Sequence, residues 1–410
     1  MRSIKRSWID EYLRWIEDVT ESPRSYHLWS AATVIGGALK RNVWINRGAF
    51  NLFPNMFTML VGHTGLGKGT SINPAVDLLR ESGTANILSD KLTIQYVLER
   101  ISDHGQVAHP TVQMHGKTVS LNISGDSSCF ISAPEAEDFI TMSDTMPTLK
   151  ELWESKDGPF EYGTRNRGLV KIVKPCPTLL GGCTQTQVSV LFPNRAVGGG
   201  FARRCSFVYE TDKAKSIPWP VDRNGNDPIR TKLVNDLRHI ASLRGQYTFD
   251  PLARQMWQDF YVASYDEFAD EVTASYDCSR GIHALKLAMC LTAARQDALV
   301  INCVDMALAI SMITHVADDL KRTFRAVGDS ELAILMDKVI RFIEQKGKTS
   351  FVTRQDIMAV MWKDVGTSAN LDVLLATLQA GGMIKTENRS SITTYKIVPT
   401  TKQQQRGYKP

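Results

Sequence analysis

The stretch Phe57-Thr-Met-Leu-Val-Gly62-His-Thr-Gly-Leu-Gly67-Lys68-Gly69-Thr70 decides the fold. Its apolar run reads as a strand buried on both faces, a glycine-rich turn follows, and an amphipathic stretch from Lys68 to Arg80 reads as a helix. The spacing Gly62-x4-Gly67-Lys68 is that of a P-loop, in which bare backbone N–H groups surround phosphates and the lysine reaches the terminal ones. The positive end of the following helix dipole acts on the same anion. Gly62, Gly65, Gly67, Lys68, Gly69 and Thr70 are therefore the candidate nucleotide-binding residues. One position departs from the commonest form. Gly69 stands where a Ser or Thr hydroxyl normally holds Mg²⁺, and the hydroxyl comes one residue later, at Thr70. Either Thr70 is the metal ligand or water takes its place.

Outward from this segment, residues 51 to about 210 alternate short apolar strands with amphipathic helices, the pattern of a parallel sheet covered on both faces. Strands are expected at 56–62, 129–133, 178–183 and 205–209. Two stretches read as inserted hairpins: 106–123, turning at His115-Gly116-Lys117, and 160–173, turning around residues 164–168. Residues 8–40 form two helices divided by Pro23, which either pack on the nucleotide domain or build an inter-subunit collar. From Glu331, three helices and two strands around residues 388–391 follow the winged-helix order. The expected architecture is an α/β P-loop NTPase core of the ASCE, RecA/AAA+-like kind. It comprises an N-terminal helical segment (1–50), the ATPase core (51–248), a helical domain (249–328), a winged helix (329–398) and a polar, disordered tail (399–410).

A P-loop needs an acid at the tip of a neighbouring strand. The candidate is Ser128-Cys-Phe-Ile-Ser-Ala-Pro134-Glu135-Ala-Glu137-Asp138, with Glu135 as the base or water-orienting group. The aspartate usual just before it is here Pro134. Acidic residues also simply favour a helix N-terminus, so Glu135, Glu137 and Asp138 have a purely structural alternative. The next strand ends at Thr184-Gln185, placed either to sense the terminal phosphate or to cap the following helix. Then Gly198-Gly-Gly200-Phe201-Ala-Arg203-Arg204 presents two arginines before the last strand. One of them is expected to complete a neighbouring subunit's site as a finger; the alternatives are surface cations or a nucleic-acid phosphate contact. The sequence does not distinguish Arg203 from Arg204, and Arg280 is a further candidate for such a sensing role.

In order, Glu21-Ser-Pro-Arg-Ser-Tyr-His-Leu-Trp29-Ser, Pro54-Asn55, the P-loop, Ala133-Pro134-Glu135 and Gly199-Gly-Phe-Ala-Arg203-Arg204 resemble the replication ATPases of bacteriophages and prophages. These belong to the helicase class related to superfamily 3 and AAA+ ring motors. The resemblance covers about residues 8 to 326. It implies a hexameric ring that hydrolyses ATP with Mg²⁺ at subunit interfaces and translocates on single-stranded or forked DNA in a bacterial host's cytoplasm. A separate primase would supply priming. In such rings a hairpin between the acidic and sensing strands projects into the pore. Here residues 160–173 hold that place, with Arg165, Arg167 and Lys171 to grip DNA phosphates; a solvated edge hairpin is the plain alternative. From Lys346 onward ten Lys/Arg stand against four Asp/Glu. Lys385 and Arg389, with Lys396 on the wing and Lys402, Arg406 and Lys409 in the tail, are the DNA candidates there, although winged helices also serve as protein adaptors.

The bulk numbers fit this picture without demanding it. The 410 residues are 43% hydrophobic and 22% charged with a net charge of +5, a globular composition too mildly basic to argue nucleic-acid binding by itself. Seven cysteines lie singly, without metal-type spacing, as expected of reduced thiols. No signal peptide or membrane-spanning run is expected. A second functional class keeps the nucleotide as a switch: a DNA-binding replication initiator or helicase loader with slow ATPase. A third, a nucleoside monophosphate kinase, rests only on Gly-Lys-Gly-Thr.

Overall fold

Five of the chain's strands pair in parallel, and the computed structural model that contains them describes residues 7–89, 91–105, 111–114, 117–120, 127–140, 144–164, 168–191, 200–219, 221, 227–266, 271–328, 331–347, 351–389 and 392–397. The strands are β1 (Phe57–Val61), β2 (Ile87–Ser89), β3 (Ser128–Ala133), β4 (Cys176–Cys183) and β5 (Cys205–Tyr209), in the order β5-β1-β4-β3-β2. Four of them stand where the apolar runs placed them; β2 was not expected. Every residue of β1 and β4 is buried, as a strand covered on both faces requires. The chain leaves β1 toward β2 on one side and leaves β4 toward β5 on the other. Neighbouring β1 and β4 thus send their connections in opposite directions, and a crevice opens at their carboxyl ends.

The chain divides into two units, Met1–Phe324 and Arg325–Pro410. In the first, α1 (Trp8–Glu17) and α2 (Arg24–Leu39) pack on the sheet domain. The Trp8 indole N–H donates to the Leu233 carbonyl at 2.9 Å, and the Tyr26 hydroxyl donates to the Val61 carbonyl at 2.6 Å. A buried Thr33–Thr58 hydroxyl pair at 2.7 Å ties α2 to β1. α3 (Lys68–Ser82) follows β1 directly.

The helix Glu271–Arg295 closes the amino ends of the strands. Its Lys286 is fully buried, with Nζ 2.9 Å from the Asn55 carbonyl and 2.7 Å from Asn55 Oδ1, over the Trp153 ring at 4.1 Å. Burial pulls this lysine down to about 7. Arg280, on the same helix, is also buried, 3.5 Å from Asp277 and over Phe260.

Both expected hairpins pair antiparallel, Thr111–Met114 with Lys117–Ser120 and Phe160–Thr164 with Gly168–Ile172. Arg165 and Arg167, at the tip of the second, lie outside the described residues. The second unit has helices Glu331–Gly347, Arg354–Val365 and Ser368–Ala380. A three-stranded sheet accompanies them, with Ile392–Ile397 between Val352–Thr353 and Ile384–Arg389. Val339, Ile343, Ile357, Leu374 and Ile384 are among its core residues. Among the described residues, no helix is long and apolar enough to cross a membrane.

Candidate active site

The turn after β1 is shaped by backbone torsion. Gly65 and Gly67 have φ of +88° and +86°, the left-handed region that L side chains resist. The loop closes over Lys68, whose Nζ donates to the carbonyls of Gly62 at 2.7 Å and His63 at 3.0 Å. Burial draws this ammonium below the usual lysine range, against the opposing pull of Cys183.

β4 brings the loop and the acidic turn together because Gly181 and Gly182, just before its last residue, have no side chains. A Cβ on Gly182 would stand 2.7 Å from the Pro134 carbonyl and 3.3 Å from the Lys68 Cβ; one on Gly181 would meet the Ala136 Cβ at 3.0 Å. Lys68 and the turn Pro134–Glu135 therefore flank one strand tip.

The acids beyond that turn diverge. Glu135 is drawn outward to Lys91, just past β2, at 3.8 Å, with its side chain 79% exposed, and Asp138 meets the same lysine at 2.9 Å. Glu137 is half-buried and accepts a hydrogen bond from Gln187 Nε2. Gln187 in turn bonds Thr184 twice: its Oε1 accepts from the Thr184 N–H at 2.6 Å, and its own N–H donates to Thr184 Oγ1 at 3.2 Å. This is a reciprocal cap of the helix Gln185–Leu191. Thr184 thus caps that helix, the structural alternative open in the sequence. The Cys183 thiol, pushed up to about 12 by burial, also feels Lys68 and Glu137. The Gln185 amide donates to the Arg322 carbonyl at 2.7 Å and accepts from the Tyr209 hydroxyl at 3.3 Å. It lines a cavity of about 340 Å³ with His63, Thr64, Thr184, Tyr209 and Glu210.

A second cavity of about 320 Å³ lies on the other flank of the loop, between Gly65, Gly67 and Thr70 and the link joining α1 to α2. Val19, Leu66 and Ile217 give it apolar walls. Glu21 pins its rim by pairing with Lys213 and accepting from the Ile217 N–H at 2.7 Å, which holds its carboxyl below the usual range. Ser22 faces the loop here: its Oγ donates to the Gly67 carbonyl at 2.8 Å and lies 2.7 Å from Thr70 Oγ1. Thr70 itself reaches the Gly67 carbonyl at 2.8 Å, so its hydroxyl is already engaged. A Cβ on Gly69 would meet nothing within 4 Å. Neither this cavity nor a role for Ser22 in it was legible in the sequence, where Glu21-Ser22 stood out only as part of the resemblance block between the two helices.

The two arginines before β5 have different surroundings. Arg204 points inward, with a side chain 9% exposed, paired with Glu154 and 5.5 Å from the Trp153 ring. Arg203 is half-buried, and its guanidinium makes no ion pair or hydrogen bond with a described residue. Its carbonyl accepts from His283 Nε2 at 2.8 Å. The turn Ala202–Arg204 sits at the amino end of β5, whereas Lys68, Thr184 and Glu135 sit at carboxyl ends. About 16 Å of strand separates the two ends, more than an arginine side chain spans.

The remaining basic candidates are partly neutralised. Lys171 lies 3.7 Å from Glu161. Lys385 and Lys396 share Glu387, at 3.7 and 2.9 Å. Arg389 ends the strand Ile384–Arg389. The helix Ser368–Ala380 carries one charged residue, Asp372, held by Arg354 Nε at 2.6 Å and Nη2 at 2.9 Å.

No protein-family model matches the chain, and no curated protein matches it. The site consists of a lysine on a glycine loop, carboxylates one strand away, and a cavity on each flank.

Proposed function

We propose that the chain is an ATP-driven DNA motor, the replicative DNA helicase of a bacteriophage or related mobile element, hydrolysing ATP between the subunits of a hexameric ring. The observation that carries this reading is the order β5-β1-β4-β3-β2. It sets the loop strand and the acid strand on either side of β4, at the crevice where α/β sheets bind ligands. A P-loop NTPase core of the ASCE type needs that arrangement.

In this mechanism Lys68 exchanges the Gly62 and His63 carbonyls for the terminal phosphates, and the loop N–H groups and the α3 dipole hold the rest. The cavity beside Ser22 receives the base. Mg²⁺, when bound with the nucleotide, would supply charge neutralisation. Thr70 is the hydroxyl that would hold such an ion once released from Ser22, since Gly69 has none. Because Arg203 lies at the opposite end of the strands from Lys68, it serves a neighbouring copy's nucleotide. The Arg325–Pro410 unit is read as a winged helix whose DNA contacts fall to the wing, Lys385 and Arg389, since the helix Ser368–Ala380 offers no cation. Arg165, Arg167 and Lys171 line the pore in this reading, and a separate primase provides primers.

The test is ATP hydrolysis and strand separation by the purified chain, with and without a forked duplex, alongside native mass measurement with an ATP analogue. Hydrolysis stimulated by DNA, abolished by Lys68→Ala and accompanied by a ring is the expected result. A monomer that binds no nucleotide overturns the proposal. One observation favours a second reading, the nucleotide-switched initiator or loader: Thr70 is tied to Ser22 while Gly69 lacks a hydroxyl, which suits slow turnover. Single-turnover hydrolysis without strand separation would select it.

A further inference from the structure

We infer that Glu137, and not Glu135, is the carboxylate that accepts the proton of the attacking water, with Gln187 as its positioning residue. The inference rests on the proposed ATPase reading and concerns which acid serves it.

Three acids lie within the five residues after β3, and the sheet order decides between them. β3 has β4 on one side and β2 on the other. Lys91, past β2, draws Glu135 and Asp138 to the side away from β1 and Lys68. Glu137 leans the other way, onto Gln187, which is fixed to the first residue beyond β4. The tip of β4 is also where Lys68 approaches, over Gly182. Glu137 is thus the one of the three held on the phosphate side.

Helix capping accounts for the oxygen of the Gln187 amide, which takes the Thr184 N–H. It does not account for the amide nitrogen, which is left to select a partner and takes Glu137. Gln187 thereby orients the Glu137 carboxylate on the β4 side of the acidic turn. In the step assigned to it, the water oxygen bonds to the γ-phosphorus as the bond from that phosphorus to the β–γ bridging oxygen breaks. The bridging oxygen leaves with the electron pair on ADP. The water proton passes to a Glu137 oxygen and then to solvent.

Glu137→Gln keeps the size of the side chain and an acceptor for Gln187. It is expected to lower single-turnover hydrolysis by about 10²-fold or more, the usual worth of a general base, while the Kd for a fluorescent ATP analogue stays within about threefold. Glu137→Asp should restore part of the rate. Glu135→Gln should hydrolyse within about threefold of the unaltered protein, and Gln187→Ala should lower kcat and shift the acid limb of the pH–rate profile without changing KM. Loss of hydrolysis in Glu135→Gln, or an unaltered rate in Glu137→Gln, overturns the inference and leaves the ATPase reading standing. An unaltered chain that neither binds nor hydrolyses ATP overturns both. Thermal melting of each variant separates a lost base from a lost fold.

Discussion

Lys68 and Gly182 meet across the carboxyl ends of β1 and β4, so closely that a Cβ on the glycine would lie 3.3 Å from the Lys68 Cβ and 2.7 Å from the Pro134 carbonyl. The second of these is a distance real Cβ atoms do not tolerate, and its far side is backbone. Gly182→Ala must therefore push the acidic turn away from the loop. We expect a stability loss of about 1–3 kcal/mol, the usual cost of overpacking, and hydrolysis reduced at least tenfold, since small displacements of reacting groups are costly. Denaturant titration and steady-state ATPase assays check the two effects. Gly69→Ala, where the new Cβ meets nothing, is the control.

That open space makes Gly69→Ser a gain-of-function experiment. The hydroxyl would stand where P-loops commonly hold Mg²⁺, and serine is a better helix former than glycine by a few tenths of a kcal/mol. The expected outcome is a lower Mg²⁺ concentration for half-maximal hydrolysis, with unchanged or slightly raised stability. A higher Mg²⁺ requirement would show that the ion does not approach this face of α3.

Arg203 and Arg204 should separate cleanly. Arg204→Ala leaves Glu154 without its cation beside a buried aromatic wall and should destabilise the fold by roughly 2–4 kcal/mol, somewhat below a fully buried pair because Glu154 is partly exposed. Arg203→Ala should leave the unfolding free energy within about 0.5 kcal/mol of the unaltered protein and reduce hydrolysis by 10³-fold or more. Mixing Lys68→Ala with Arg203→Ala protein should recover part of the activity, because some interfaces then receive both intact groups. No recovery on mixing would mean that the two residues do not serve a shared interface.

His283 supplies a pH dependence. Burial lowers it to about 4, chiefly by desolvation, from an ordinary value near 6.5. The folded protein thus favours the neutral ring. Its stabilising contribution is complete above pH 6.5 and is lost as pH falls from there to about 4, on the order of 3 kcal/mol in all. His27, also lowered to about 4 by burial, acts in the same window. Urea midpoints at pH 7 and pH 5, compared between the unaltered chain and His283→Gln, should show a smaller acid-dependent fall in the variant. An identical fall would assign the loss to other groups.

The sequence announced the strands that are buried throughout, because an unbroken apolar run has no other use beside a glycine turn. β2 escaped notice because three residues at a sheet edge, Ile87–Ser89, carry too little pattern. The strands Val43–Asn46 and Thr248–Phe249 escaped because so few residues likewise carry too little pattern. Within the site, the loop was legible as a local motif, whereas the division of labour among its polar groups was not. Arg204 is buried by Glu154, fifty residues earlier in the chain, and Glu135 and Glu137 are sorted by Lys91 and Gln187 on separate elements. Spacing along the chain carries no record of such pairings. The burial of α2 likewise depends on the sheet it meets.

The lysine folded onto the carbonyls of Gly62 and His63 has a bearing on which solutes can enter. An arriving anion must displace two good hydrogen bonds before it gains the ammonium. A chloride ion or a lone orthophosphate offers little in exchange, while the polyphosphate chain of the proposed function would engage the lysine and the loop amides together. In the proposed reading the resting loop would be its own weak competitor, a filter against small abundant ions that yields to a long, highly charged guest.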